Sequence, residues 1–115
     1  MQMKEEIKDN VLVVHLNGEL MGGEATLAFQ KRIDEAIREE RVNVVVDMAD
    51  VKWMNSAGLG IVMACLTRLR SSDGDLRLVN VPERVRRPLE ITKLDGVIRI
   101  FTSMQDAVQS FEEGA

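Results

Sequence analysis

Tyrosine is absent from this chain of 115 residues, aromatic residues make up 3% of it, and cysteine, histidine and tryptophan occur once each. A lone cysteine, Cys65, cannot close an internal disulfide, which fits a reducing compartment and points to the cytosol. Excess positive charge is also lacking. Fifteen Lys and Arg against nineteen Asp and Glu leave a net charge of -4, so no overall field gathers polyanions, and nucleic acid is not an expected partner. Long apolar runs are missing too. The longest charge-free stretch, Trp53 to Thr67, contains Asn55, Ser56 and Thr67, whereas a membrane-spanning helix needs about 20 mostly apolar residues. The opening MQMKEEIKDN has no apolar segment of an export signal, so neither export nor membrane insertion is expected. Repeats, low-complexity tracts and long linkers are lacking as well, and the length suits one domain, residues 1–115, of two stacked layers.

What is present is a core to bury: apolar residues are 45% and charged residues 30% of the chain, ordinary values for a folded domain. Val11 to Gly18 is β-branched and ends in Asn17 and Gly18, a strand closing in a turn, and a weaker strand precedes it. Between Gly22 and Arg41 the apolar residues Ala25, Ala28, Phe29, Ile33, Ala36 and Ile37 recur at helical spacing. Val42 to Asp47 is almost continuously apolar, as suits a central strand covered on both faces. Asp47 to Gly60 then reads as a loop ending in a small-residue cluster, from which a helix runs with Leu59, Val62, Met63, Leu66 and Leu69 on its apolar stripe. Leu76 to Pro82 reads as a strand. A short helix follows, kinked by Pro88 or starting near it, because proline offers no N–H to the turn before it. Val97 to Phe101 reads as the last strand, and a capping box of Thr102 and Gln105 opens a closing amphipathic helix.

The order ββαβαβαβα predicts an α/β fold: one mixed, mostly parallel sheet of about five strands, an antiparallel hairpin at its edge, and helices packed mainly on one face. Such a sheet does not by itself specify a function. The informative place is the junction between the central strand and the second helix. Ser56 has the position of an N-cap, where its hydroxyl would accept from the first-turn N–H groups. Those donors, at the positive end of the helix, also tolerate a phosphate. Gly58 and Gly60 stand where a helix begins, and each costs about 1 kcal/mol relative to alanine inside one. With Ala57 they leave either a close packing contact or a low surface on which another protein can dock.

The residues VVVD, Val44 to Asp47, followed by VKWMNSAGLG, Val51 to Gly60, resemble the STAS family, shared by sulphate transporters and bacterial anti-sigma factor antagonists. NGEL at Asn17 to Leu20, the segment Arg86 to Leu94 and the last helix extend the resemblance over nearly the whole chain. It implies a STAS-like fold, no catalysis and no cofactor. For anti-sigma factor antagonists it implies a switch in which the serine aligned with Ser56 is phosphorylated by an anti-sigma factor that is also a serine kinase. A metal-dependent serine phosphatase reverses the modification. The unmodified form binds the anti-sigma factor and frees a sigma factor; the phosphorylated form does not dock. Met21, Gly22, Trp53, Asn55, Ser56, Ala57, Gly58, Leu59 and Gly60 are then the expected partner-binding residues, on a monomer or weak homodimer.

Two positions depart from the family pattern: Asn55 replaces the usual acidic residue before the serine, and Met21 replaces an Asp after the second strand. These favour an alternative, a constitutive STAS subunit of a larger signalling or transport complex that is never phosphorylated. A serine hydrolase is disfavoured, since Met54 stands where the nucleophile elbow has its first glycine, and His15 reads as a strand residue well before Ser56. Asp47 and Asp50 without further oxygen ligands make a poor metal site, so no metal is expected. Trp53 reads as a core anchor of its loop, or, if exposed, as an interface hot spot. Met21, Met48, Met54 and Met63 read as packing residues. Arg68, Arg70, Arg84, Arg86 and Arg87 read as solvated surface, or as a basic patch for an acidic partner.

Overall fold

A computed structural model describes residues 2–112. Its strands are β1 (Gln2–Lys8), β2 (Val11–Leu20), β3 (Asn43–Met54), β4 (Asp75–Val79) and β5 (Ile100–Phe101), and its helices α1 (Glu24–Arg38), α2 (Ser56–Ser71), α3 (Glu83–Ile91) and α4 (Met104–Gln109). Single 3-10 turns at Leu94–Gly96 and Ser110–Glu112 complete it. The five strands lie in the order β1-β2-β3-β4-β5, with β1 antiparallel to β2 and every other pair parallel. This is the expected topology.

Strand alternation sorts the core onto two faces. Leu12, Val14 and Leu16 of β2, Val44 and Val46 of β3, and Leu76 and Leu78 of β4 meet Phe29 and Ile33 of α1, Val62, Leu66 and Leu69 of α2, and Val85 and Leu89 of α3. Val11, Val13, Val45 and Val79 point the other way and are covered by Ala107 and Val108 of α4. The fold therefore has a partial third layer rather than two, although three of the four helices share one face. β3, buried on both sides through Val44 to Val46, is the central strand its composition predicts.

The last strand is Ile100–Phe101 rather than Val97 to Phe101, because a 3-10 turn at Leu94–Gly96 takes up the chain before it, and β4 ends at Val79 rather than Pro82. Three further boundaries differ from the sequence reading. First, the expected loop after Asp47 is strand: β3 continues to Met54 and pairs Asn17 with Asp50, Gly18 with Val51, and Leu20 with Met54. Irregularities between His15 and Asn17 and between Gly18 and Glu19 break the period of two, so buried Met48 and Val51 fall three residues apart and imitate a loop. Second, α3 starts at Glu83 behind Pro82 and runs through Pro88. The missing N–H costs only a bond to the carbonyl of Arg84, an exposed residue that water can reach. Third, α4 is capped one residue later than expected, by the Ser103 hydroxyl accepting from the Asp106 N–H at 3.3 Å.

His15 and Asp47 lie side by side on β2 and β3, on the α4 face, with Nδ1 2.7 Å from Oδ2. Asp47 Oδ1 also accepts from the Ala49 N–H at 3.0 Å and from Asn80 Nδ2 at 3.3 Å. Burial opposes ionisation of Asp47, yet the Ala49 N–H, His15 and Asn80 outweigh it and hold the carboxyl below its ordinary value. This cluster is a cross-strand tie. Asp50 likewise sits within β3. Among the described residues no group of three or more His, Cys, Asp or Glu is placed to hold a metal ion, and no helix is long and apolar enough to cross a membrane.

Candidate functional site

Parallel strands and right-handed crossovers put the C-terminal ends of β2 and β3 and the N-terminal ends of α1 and α2 at one end of the sheet. Leu20, at the end of β2, anchors the start of α2. The Asn55 N–H donates to the Leu20 carbonyl at 3.2 Å, and the absent side chain of Gly58 lets the helix rest on that same carbonyl, which a Cβ would approach to 1.9 Å. Gly22, in the left-handed region at φ +89, fits beneath Ala57, whose Cβ would lie 2.7 Å from a side chain there. These small residues serve close packing. Gly60 does not: it is exposed, and nothing lies within 4 Å of where its Cβ would be.

The helix cap is Asn55, not Ser56. Asn55 Oδ1 accepts from the Gly58 N–H at 2.9 Å, while Nδ2 donates to the Met21 carbonyl at 3.0 Å. One amide therefore closes the helix and ties it to the β2–α1 turn. Asparagine can do both because it carries a donor as well as an acceptor; serine at the next position is too far along the helix to cap it. Ser56 becomes the first residue of α2, is exposed, and its hydroxyl has no hydrogen-bond partner among the described residues. The N–H groups of Ser56 and Ala57 precede the intrahelical ladder and stay open, so the positive end of α2 is presented beside a free hydroxyl.

The rim is apolar and outward-facing. Trp53 is 54% exposed and Met21 46% exposed, so neither is the packing residue that the sequence suggested. The Arg84 guanidinium stacks over the Trp53 ring at 5.3 Å and braces it from α3. Gly58 and Leu59 are buried and form the floor, whereas Ser56, Ala57 and Gly60 lie on the surface. Met48 is buried, and Met54 and Met63 are half-buried against the core. The basic residues divide. Arg68 pairs with Asp34, and Arg70 pairs with Asp75 at 2.8 Å and donates to the Val97 carbonyl at 2.7 Å, leaving Arg84, Arg86 and Arg87 together on α3.

Cys65 is buried within α2, where loss of solvent and the charge of Asp34 push its thiol up to about 12, so it is no nucleophile. His15 is engaged by Asp47 on the face of the sheet opposite α2 and gives Ser56 no general base. Among the described residues, neither His15 nor Cys65 is placed to act on the exposed Ser56 hydroxyl.

Replacing Asn55 tests its double role. Asn55→Asp keeps the acceptor for Gly58 but has no donor for the Met21 carbonyl, so amide exchange at Met21 to Gly23 should rise with stability nearly unchanged. Asn55→Ala should also cost about 1 kcal/mol in urea unfolding.

The STAS domain model matches residues 2–107. An anti-sigma-B factor antagonist of Bacillus subtilis is 29% identical over 101 residues, covering 88% of this chain and 91% of that protein. A crystal structure from Thermotoga maritima superposes with a TM-score of 0.87 at 28% identity, over 94% of this chain and 92% of that one. An anti-sigma factor antagonist from Mycobacterium paratuberculosis superposes with a TM-score of 0.80 at 26% identity, over 95% and 92% of the two chains. Together with the β-strand order and the Asn55 to Gly60 helix start, these matches place the chain in the STAS domain family.

Proposed function

We propose that this protein is an anti-sigma factor antagonist, a protein-binding switch without enzymatic activity, and that Ser56 is its phosphoacceptor. The observation that carries the reading is the Ser56 hydroxyl: exposed at the first position of α2 and relieved of capping by Asn55. Around it Ala57 and Gly60 keep the surface low enough for a kinase active site, while Met21 and Trp53 supply apolar contact area. The relatives support the partner: proteins similar over most of this chain are named for antagonism of anti-sigma factors. The Bacillus protein SpoIIAA, 18 to 20% identical and alike in fold, has been solved in unphosphorylated and phosphorylated forms.

The direction of the switch follows from charge. A phosphate of about -1.5 to -2 on Ser56 meets the open N–H groups of Ser56 and Ala57, so the helix keeps its shape. A partner seated over Ala57 and Gly60 instead meets a buried, hydrated dianion, and docking is lost. A metal-dependent serine phosphatase acting on the modified form resets it. Incubation with the anti-sigma factor kinase of the same genome and ATP should place one phosphate on Ser56 and none on Ser56→Ala. Phosphate on another residue, or undiminished uptake by the variant, would refute the assignment. A constitutive STAS subunit is the second reading, favoured by the amide of Asn55 in place of a carboxylate. Copurification decides between them: a kinase-type ATPase partner supports the switch, and a transporter or multi-STAS scaffold supports the subunit.

A further inference from the structure

The sheet ends on one side in a long, unpaired strand. β1 is hydrogen-bonded to β2 alone, and its outer edge has no strand against it among the described residues. All of its residues but Met3 are exposed. The opposite edge is β5, only two residues long. Exposed edges are normally blunted by charge, and β1 carries Lys4, Glu5, Glu6 and Lys8. The order of those charges, however, selects one pairing instead of forbidding all.

If two copies extend each other's sheet about a two-fold axis perpendicular to it, residues facing each other across the new seam must point to the same face, so the pairing is centred on a single residue. Centring on Lys4 sets Lys4 against Lys4 and Met3 against Glu5. Centring on Glu6 sets Glu6 against Glu6 and Lys4 against Lys8. Centring on Ile7 joins Glu6 to Lys8 but overlaps only the last three residues of the strand. Centring on Glu5 sets Lys4 against Glu6 twice and Met3 against Ile7 twice. The last register joins opposite charges on the face that carries His15, where Lys4 of the other copy adds to the exposed pairing of Glu6 with Lys8 at 3.1 Å in its own chain. It also joins apolar side chains on the α1 face, where Met3 meets the core and Ile7 is 50% exposed. Its one like-charge pair, Glu5 with Glu5, is already compensated. In each copy Arg32 of α1 holds Glu5 with two hydrogen bonds, of 2.8 and 3.0 Å.

We propose that a second copy of this chain is the occupant of the β1 edge, forming an antiparallel β1–β1 homodimer centred on Glu5. The result is a continuous ten-stranded sheet that cannot grow further, because its ends are the short β5 strands. The two-fold axis points the two α2 N-termini in opposite directions, so the docking surfaces at Ser56 stay clear of the seam and of each other.

Sedimentation of the full chain from the micromolar to the millimolar range tests this without reference to any partner protein. A reversible monomer–dimer equilibrium is expected. Lys4→Glu and Glu6→Lys each turn two attractive pairs into repulsive ones and should weaken self-association by about tenfold or more. Mixed in equal amounts, the two variants should associate with each other, since the carboxylate introduced in one then faces the ammonium introduced in the other. Both positions are exposed, and circular dichroism confirms that the variants are folded. A wild-type chain monomeric throughout overturns the proposal. So does a dimer that neither substitution weakens, or a failure of the mixture to restore association.

Discussion

Gly58→Ala should be among the most damaging single-methyl additions in the molecule, lowering stability by about 3 kcal/mol or more. A Cβ at this position would stand 1.9 Å from the Leu20 carbonyl oxygen and 2.6 Å from its carbon, both backbone atoms that no rotamer change can move. Relief requires the start of α2 to lift from the end of β2. That lift breaks the Asn55 N–H bond to Leu20 and the Asn55 amide bond to Met21, so the β2–α1 turn loosens with it. Gly60→Ala, two residues on, should do the opposite. It meets nothing within 4 Å and exchanges a flexible residue for the best helix former, a gain of up to about 1 kcal/mol. Urea titrations of the two variants give the comparison directly: a fall in midpoint for Gly58→Ala and a small rise for Gly60→Ala. Equal effects would mean that the two glycines have the same role. If Gly60 is kept for docking, the stabilised variant should also bind the anti-sigma factor less tightly.

That contrast shows where sequence reading reaches its limit. Two glycines and an alanine at a helix start allow close packing and open docking alike, and nothing local separates them; the carbonyl of Leu20, distant in sequence, does. The same holds for the cap. Asn55 and Ser56 are both good N-cap residues, and only the Met21 carbonyl, brought near by the parallel pairing of β2 and β3, rewards the side chain that can also donate. Elements governed by their own periodicity were legible: α1 buries Phe29, Ile33 and Ala36 as its spacing predicts, and Val44 to Val46 fill the middle of the sheet. The second half of β3 was not, because its bulges destroy the alternation by which strands are recognised. The covering of the second face by α4 depends on a helix of six residues whose pattern carries too few turns to assign a face.

The same bulges decide the position of Trp53, and hence the largest expected effect on binding. In a regular strand after Val51, Trp53 would return to the buried side; the shift in register between Gly18 and Glu19 turns it outward instead, 54% exposed beside the Ser56 surface. An aromatic that is braced in advance loses little freedom when a partner covers it, and the Arg84 guanidinium at 5.3 Å provides that bracing. Trp53→Ala should therefore reduce affinity for the anti-sigma factor by at least about thirtyfold, the size of a hot-spot truncation of 2 kcal/mol. Its effect on folding should stay under about 1 kcal/mol, since the ring contributes little to either core cluster. Arg84→Ala should give a smaller loss of affinity, because the indole remains but is less fixed. Ile91 supplies the control. It is 75% exposed, yet lies at the C-terminal end of α3, and helices in this sheet finish at the end opposite the one where α2 begins. Calorimetric titration of the unmodified chain should show Ile91→Ala binding like the wild type. If Trp53→Ala binds equally well, the partner does not rest on this rim, and the docking surface must be sought on a face of the domain away from Ser56.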